Sequence, residues 1–84
     1  MAAYSVAING NLQAEGAAAR FDQLDRAVQG GDATRAQAIF DDIRGNYGKT
    51  VYAANAGLLT AKLQVQKSQF DEALKSLAWV AESG

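Results

Sequence analysis

The sequence predicts an all-α fold of antiparallel helix hairpins, with about four helices in two repeats and an extended N-terminal helix. Eighteen alanines and no proline among 84 residues favour helix along most of the chain. Apolar side chains recur three and four residues apart, as they do on the buried face of an amphipathic helix. No segment alternates apolar and polar residues with the period of two that indicates a strand.

Helix-breaking residues divide the chain into four predicted helices. Gly30-Gly31 ends the first, and Asp32 is a candidate N-cap of the second because its carboxylate can accept free amide hydrogens. A glycine-bearing stretch at 45–48 ends the second helix, and Thr50 is a candidate cap of the third. A polar run at 67–69 separates the last two. The predicted helices lie at 3–29, 33–44, 51–66 and 69–82.

Composition excludes several kinds of chemistry. The chain has no cysteine and no histidine, so it offers neither a disulfide framework nor a thiolate metal site, and it lacks the commonest general base. A net charge of −1 argues against a nucleic-acid partner, which requires a clustered basic surface. We therefore expect no catalytic residue, no metal ion and no cofactor.

Two local patterns resemble reactive sites. Gly48-Lys49-Thr50 has the ending of a phosphate-binding loop, but the full motif needs a glycine where Ile43 stands and a strand before the loop. We interpret it as a connection between helices. Two pairs of neighbouring carboxylates could suggest a metal or acid–base site, but we interpret them as solvated helix faces: Asp22 with Asp25, and Asp41 with Asp42.

The chain repeats itself at an offset of 37 residues, which predicts repeats at about 13–47 and 50–84. The repeat-packing positions are small at one place and large at the next, so that two helices approach closely and a large side chain fills the space beside them. This spacing resembles the second helix of a tetratricopeptide repeat, although the usual aromatic anchors are absent from the first helix at Arg20 and Gly57. An ordinary antiparallel bundle is the alternative. The aligned positions are Ala36 with Ala73, Phe40 with Leu77, Ile43 with Val80, Phe21 with Leu58, Leu24 with Ala61, and Val28 with Val65.

Three stretches resemble a known family over about residues 12–82. They are the sequence NYGKTVYAA from Asn46, LLTAK from Leu58, and FDEALKSLAWV from Phe70. Together they are similar to the YfgM-like ancillary subunits of the bacterial SecYEG translocon, which are related to the tetratricopeptide domain of the cell-division coordinator CpoB.

The resemblance implies a location and a role. Members have a short cytoplasmic stretch, one transmembrane helix and a periplasmic tetratricopeptide-like domain, and they associate with the translocon and the periplasmic chaperone PpiD. It implies a non-catalytic scaffold on the periplasmic side of the inner membrane, linking translocon subunits to chaperones. Residues 1–12 would be an arm leading from a membrane anchor that this soluble fragment lacks, and 13–84 a domain fragment. A generic tetratricopeptide peptide-binding or oligomerisation module is the alternative.

Candidate partner-binding residues lie on the predicted first helix of each repeat, which lines the concave face of a tetratricopeptide stack. Asn55, Lys62 and Gln66 project from one side of the second repeat, and Asp25 and Gln29 hold matching places in the first. Such polar groups could bind an extended peptide backbone or a carboxylate. The alternative is that they are only the solvent side of these helices.

Trp79 is a further candidate for partner binding. It lies off the apolar stripe of the last predicted helix, beside Glu72, Lys75 and Ser76. It could pack on a following repeat or anchor a partner, since tryptophan is enriched at interface hot spots. Either interpretation predicts that Trp79 is exposed in an isolated monomer or covered by another copy.

The N-terminal arm carries its own apolar face. On one continuous helix, Tyr4, Ile8 and Leu12 lie nearly opposite the stripe that contains Phe21. Either the chain breaks near the glycines at 10 and 16, or the arm packs against a second molecule. We hypothesise the second, a homodimer through the arm, with a frayed linker as the alternative.

Overall fold

The computed structural model describes the backbone of residues 2–83 and the side chains of residues 14–82. Its four helices confirm the predicted all-α fold, and the described residues contain no strand. The first helix is continuous through the glycines at 10 and 16, and the second extends beyond its predicted end. The helices are α1 (Ala2–Gln29), α2 (Ala33–Tyr47), α3 (Val51–Gln66) and α4 (Phe70–Ser83).

The helices form two stacked hairpins. Each helix packs against the next one in the chain, and α1 also packs against α3. Over residues 2–83, no Cα atom of α2 lies within 8 Å of one in α4. The α3 helix is therefore central, which explains why it is apolar on most sides. The core between the hairpins contains Leu24, Ala27, Ala33, Ala36, Phe40, Ile43, Ala53, Ala56 and Leu63.

The two hairpins use the same turn. Gly31 and Ser68, which align at the 37-residue offset, are the two described residues with left-handed backbone, at φ 71° and 62°. After α1 the Asp32 amide donates to the Ala27 carbonyl at 2.9 Å, and after α3 the Gln69 amide donates to the Gln64 carbonyl at 2.7 Å. Amides thus satisfy the last carbonyls of both helices.

We expect substitutions at the two left-handed turn residues to change the free energy of unfolding in opposite directions. A non-glycine residue in the left-handed region costs about 1–2 kcal/mol. We therefore expect Ser68→Gly to raise the free energy of unfolding by about 0.5–1 kcal/mol after the entropic cost of glycine, and Gly31→Ala to lower it by about 1 kcal/mol. Urea unfolding of both variants measures this. Two changes of the same sign would contradict the equivalence of the turns.

The two predicted caps differ in outcome. Asp32 caps α2 as predicted, because its Oδ1 accepts a hydrogen bond of 3.0 Å from the Arg35 amide. Thr50 occupies the N-cap position of α3, but its hydroxyl makes no capping bond. It donates instead to the Tyr47 carbonyl at 2.7 Å, so the hydroxyl stabilises the end of α2 rather than the start of α3.

The repeat-packing residues occupy two environments. Ala36, Phe40, Ile43 and Ala73 are buried. Val80 is half-buried and packs where Gly57 has no side chain, since a Cβ at Gly57 would clash with the Val80 methyl and lie 3.1 Å from the Phe40 ring. The space that an aromatic anchor would fill is thus taken by two side chains from other helices.

The prediction that Leu77 is a buried repeat-packing residue is wrong. It aligns with the fully buried Phe40, yet it is 41% exposed. The buried face of α4 is narrower than its apolar stripe, because the backbone of α4 approaches closely only α3, on the side of Ala73 and Ser76.

Trp79 lies elsewhere than expected, and the prediction that it is exposed in a monomer is wrong. Its ring is half-buried and meets the Phe40 ring edge-on, with centroids 5.5 Å apart. The backbones of α2 and α4 do not approach closely, so these two rings bridge the gap between them. Because Trp79 lies off the apolar stripe of α4, its side chain points toward α2 and not toward solvent.

The arm residues Tyr4, Ile8 and Leu12 have side chains outside the described residues, and the homodimer stays a prediction. None of the described helices is both long enough and apolar enough to span a bilayer.

Candidate protein-binding surfaces

The polar face of α3 is one candidate surface. Asn55, Lys62 and Gln66 are all exposed along one side of this helix. Within the described part of the chain, Lys62 forms no ion pair, and α3 itself contains no acidic residue. The Lys62 ammonium group is therefore available to a partner's carboxylate.

The matching places on α1 are partly engaged. The side-chain carboxamide of Gln29 donates a 2.8 Å hydrogen bond to the Asp25 carboxylate, one helical turn earlier. Asp25 is half-buried and Gln29 exposed. The two repeats thus present opposite charges at aligned positions, a carboxylate from Asp25 and an ammonium group from Lys62.

The acidic groups serve as helix-surface partners. Asp42 binds Arg20 across α1 and α2 at 2.8 Å, while Asp41 binds Arg44 at 2.6 Å. Asp22 binds Arg26 at 3.0 Å. No cluster of three acidic side chains suited to a metal ion occurs among the described residues.

The turn at Gly48 has the wrong geometry for a phosphate-binding loop. It joins the end of α2 to the start of α3, whereas such a loop follows a strand. Gly48 itself keeps helical backbone angles, with φ −60° and ψ −20°. Lys49 lines an open depression together with Arg44 and Asn46.

A buried polar network was not predicted from the sequence. Gln64 of α3 is almost fully buried, and its carboxamide donates to the Gln37 carboxamide of α2. Its oxygen accepts from the Ser76 hydroxyl of α4 at 2.9 Å. Three helices are therefore joined through one side chain. The signal in the sequence is a glutamine on the mostly apolar part of α3.

The second repeat also exposes a large apolar area, which we call the end face. It combines the outer sides of α3 and α4, and it lies opposite the side of α3 that packs on α1. Its exposed members are Leu58, Val65, Phe70, Leu74 and Leu77. Their three- and four-residue spacing is that of a buried helix face, so the sequence alone does not mark these residues as exposed.

Comparison with known families agrees with this architecture. The tetratricopeptide repeat-like domain family matches residues 4–84, nearly the whole chain. The chain belongs to this family. No curated protein and no solved structure gives a significant match. Tetratricopeptide repeat-like domains are typically non-catalytic modules that bind proteins, through stacked helix hairpins like the two here.

Proposed function

We propose that this tetratricopeptide repeat-like domain is a protein-binding scaffold of an ancillary Sec translocon subunit, linking the translocon to chaperones on the periplasmic side of the inner membrane. The translocon role is supported by the resemblance over residues 12–82 to the YfgM-like family. The binding role is supported by family membership. The observation that carries it is the uncovered polar face of α3, presented by a helix whose opposite side is fixed in the core.

Binding would use the chemistry of that polar face. The Lys62 ammonium group can pair with a carboxylate, while the Asn55 and Gln66 carboxamides can each donate and accept hydrogen bonds to an extended backbone. Because α3 packs against the other three helices, these side chains are held at fixed spacing. A preorganised surface loses less entropy when it binds.

The test compares charge reversals at two exposed lysines. Purified chain is titrated against detergent-solubilised SecYEG and, separately, against the periplasmic domain of PpiD. We expect saturable binding to at least one of them, and Lys62→Glu to weaken it about tenfold, as expected when an attraction becomes a repulsion. Lys49→Glu, on the α2–α3 turn, is the control and should leave the affinity unchanged.

The outcomes separate the two candidate functions. Binding to neither protein would refute the translocon role. Binding to unrelated extended peptides, with the same loss on Lys62→Glu, would instead support a generic peptide-binding module. An equal loss with Lys49→Glu would show that the effect is one of net charge and would remove the polar face of α3 from the proposal.

A further inference from the structure

The end face of the second repeat has a covered counterpart in the first repeat. At the 37-residue offset, Phe40 aligns with Leu77, and Ala33 aligns with Phe70. Phe40 is fully buried and Ala33 nearly so, whereas Leu77 is 41% and Phe70 58% exposed. The same repeat positions are therefore buried where another helix follows and exposed where none of the described helices does.

The first helices of the two repeats show the same contrast. Phe21 and Val28 of α1 are partly buried against the core. Their aligned residues in α3, Leu58 and Val65, are 49% and 47% exposed. The end face thus continues, by one repeat, the interface that α3 covers in the first repeat.

The side of α3 that covers the first repeat defines what fits such a face. It presents small residues, Ala53, Ala56 and Thr60, all fully buried, followed by Leu63. These positions fall within one narrow arc of the helix. Just before them, the Tyr52 ring lies 5.9 Å from the Phe21 ring. The small residues let the helix approach closely, and the larger ones at its ends fill the remaining space.

A second copy of this chain does not offer that chemistry when stacked in the same way. The residues of α1 that align with the covering side of α3 are Gly16, Ala19, Gln23 and Arg26. Arg26 is exposed and pairs with Asp22. Stacking one copy on the next would bury this guanidinium group against leucine and phenylalanine, which is unfavourable without a buried partner.

We propose that the end face binds a helix supplied by a partner protein. The helix carries small residues at positions i, i+3 and i+7, a leucine at i+10 and an aromatic residue at i−1. This docking surface goes beyond the proposed function, because it is separate from the polar face of α3 and requires no translocon. The two proposals can fail independently.

The test uses a synthetic peptide of this chain's residues 50–67, which has the required chemistry, titrated into the isotopically labelled 84-residue protein. We expect saturable shifts of the methyl resonances of Leu58, Leu74 and Leu77, with the Trp79 indole unchanged. Leu58→Lys and Leu77→Lys should each weaken binding at least tenfold, because each removes a leucine from the buried contact. Ala38→Lys, an exposed alanine of α2, is the matched control.

A second peptide tests the close approach of the helices. The peptide variant Ala56→Leu keeps its helical and apolar character but fills the crossing point, and we expect its affinity for the protein to fall at least tenfold.

Circular dichroism verifies that each protein variant is folded. Two lysine variants are used so that the test still stands if one of them does not fold. The proposal would be overturned if no resonance shifted at about 1 mM peptide, or if only Phe21 and Leu24 shifted. An equal loss of affinity with Ala38→Lys would also overturn it. Self-association of the protein that Leu58→Lys abolishes would overturn it in favour of a second copy.

Discussion

Replacing Phe40 with alanine should lower the free energy of unfolding by about 3–5 kcal/mol, the usual cost of deleting a buried aromatic ring. Phe40 is fully buried where three helices meet. Its ring contacts Trp79 edge-on and lies at the place where Gly57 has no side chain. The Arg44 guanidinium group lies 5.3 Å from the ring centroid and adds a cation–π contact.

The expected loss is large compared with the stability of a domain of this size. At about 0.05–0.15 kcal/mol per residue, the whole chain would have about 4–13 kcal/mol, so Phe40→Ala should remove roughly a quarter of the stability at the upper end of this range and nearly all of it at the lower end. Urea titration followed by Trp79 fluorescence measures both effects. Because the indole packs on Phe40, its emission should also shift to longer wavelength in the folded variant.

A second phenylalanine supplies the control. Phe70 is 58% exposed on the end face, so Phe70→Ala should cost less than about 1 kcal/mol. Phe40→Leu, which keeps most of the volume, should cost about 1–1.5 kcal/mol. Similar losses for Phe40→Ala and Phe70→Ala would show that the core is not organised around Phe40.

Replacing Gln64 with alanine should lower the free energy of unfolding by about 2–4 kcal/mol, although glutamine is usually a surface residue. The side chain is only 1% exposed. Its removal leaves a cavity and takes away the hydrogen-bond partner of the buried Ser76 hydroxyl. It also breaks the one described polar link that joins α2, α3 and α4.

A double-mutant cycle separates the hydrogen bond from the cavity. Ser76→Ala alone should cost about 1 kcal/mol, and in the Gln64→Ala background it should cost at least about 0.5 kcal/mol less. Gln66→Ala, at an exposed position two residues away, should change the stability by less than about 0.5 kcal/mol. Full additivity in the cycle would mean that the Gln64–Ser76 bond contributes nothing to folding.

The repeat was predictable because it depends on local spacing. Ala36, Phe40 and Ile43 form a helical stripe that recurs 37 residues later, and both stripes are short enough to recognise along the chain. Asp32 was predictable as a cap for the same reason, since capping involves only the next turn. The hydrogen bond of the Thr50 hydroxyl was not predictable, because the hydroxyl can bond to backbone groups of either α2 or α3. It bonds to the Tyr47 carbonyl, which belongs to the preceding helix.

The candidate surfaces were harder to predict, since exposure depends on which helices are neighbours. An apolar stripe indicates that a helix face can be buried, but it does not indicate whether another helix covers that face. Leu77 and Phe40 hold the same place in their repeats and differ only in whether another helix packs there. Trp79 shows the reverse, as a residue off its stripe is covered because α2 lies on that side.

The sequence by itself determined the helices, their turns and their duplication, because periodicity, alanine content and left-handed turn residues act over a few positions along the chain. Only the tertiary structure decided that Gln64 is buried, that Trp79 closes the core over Phe40, and that leucines of the last two helices face outward. These properties depend on the angle and distance between helices. They arise from contacts between residues far apart in sequence, which no local pattern encodes.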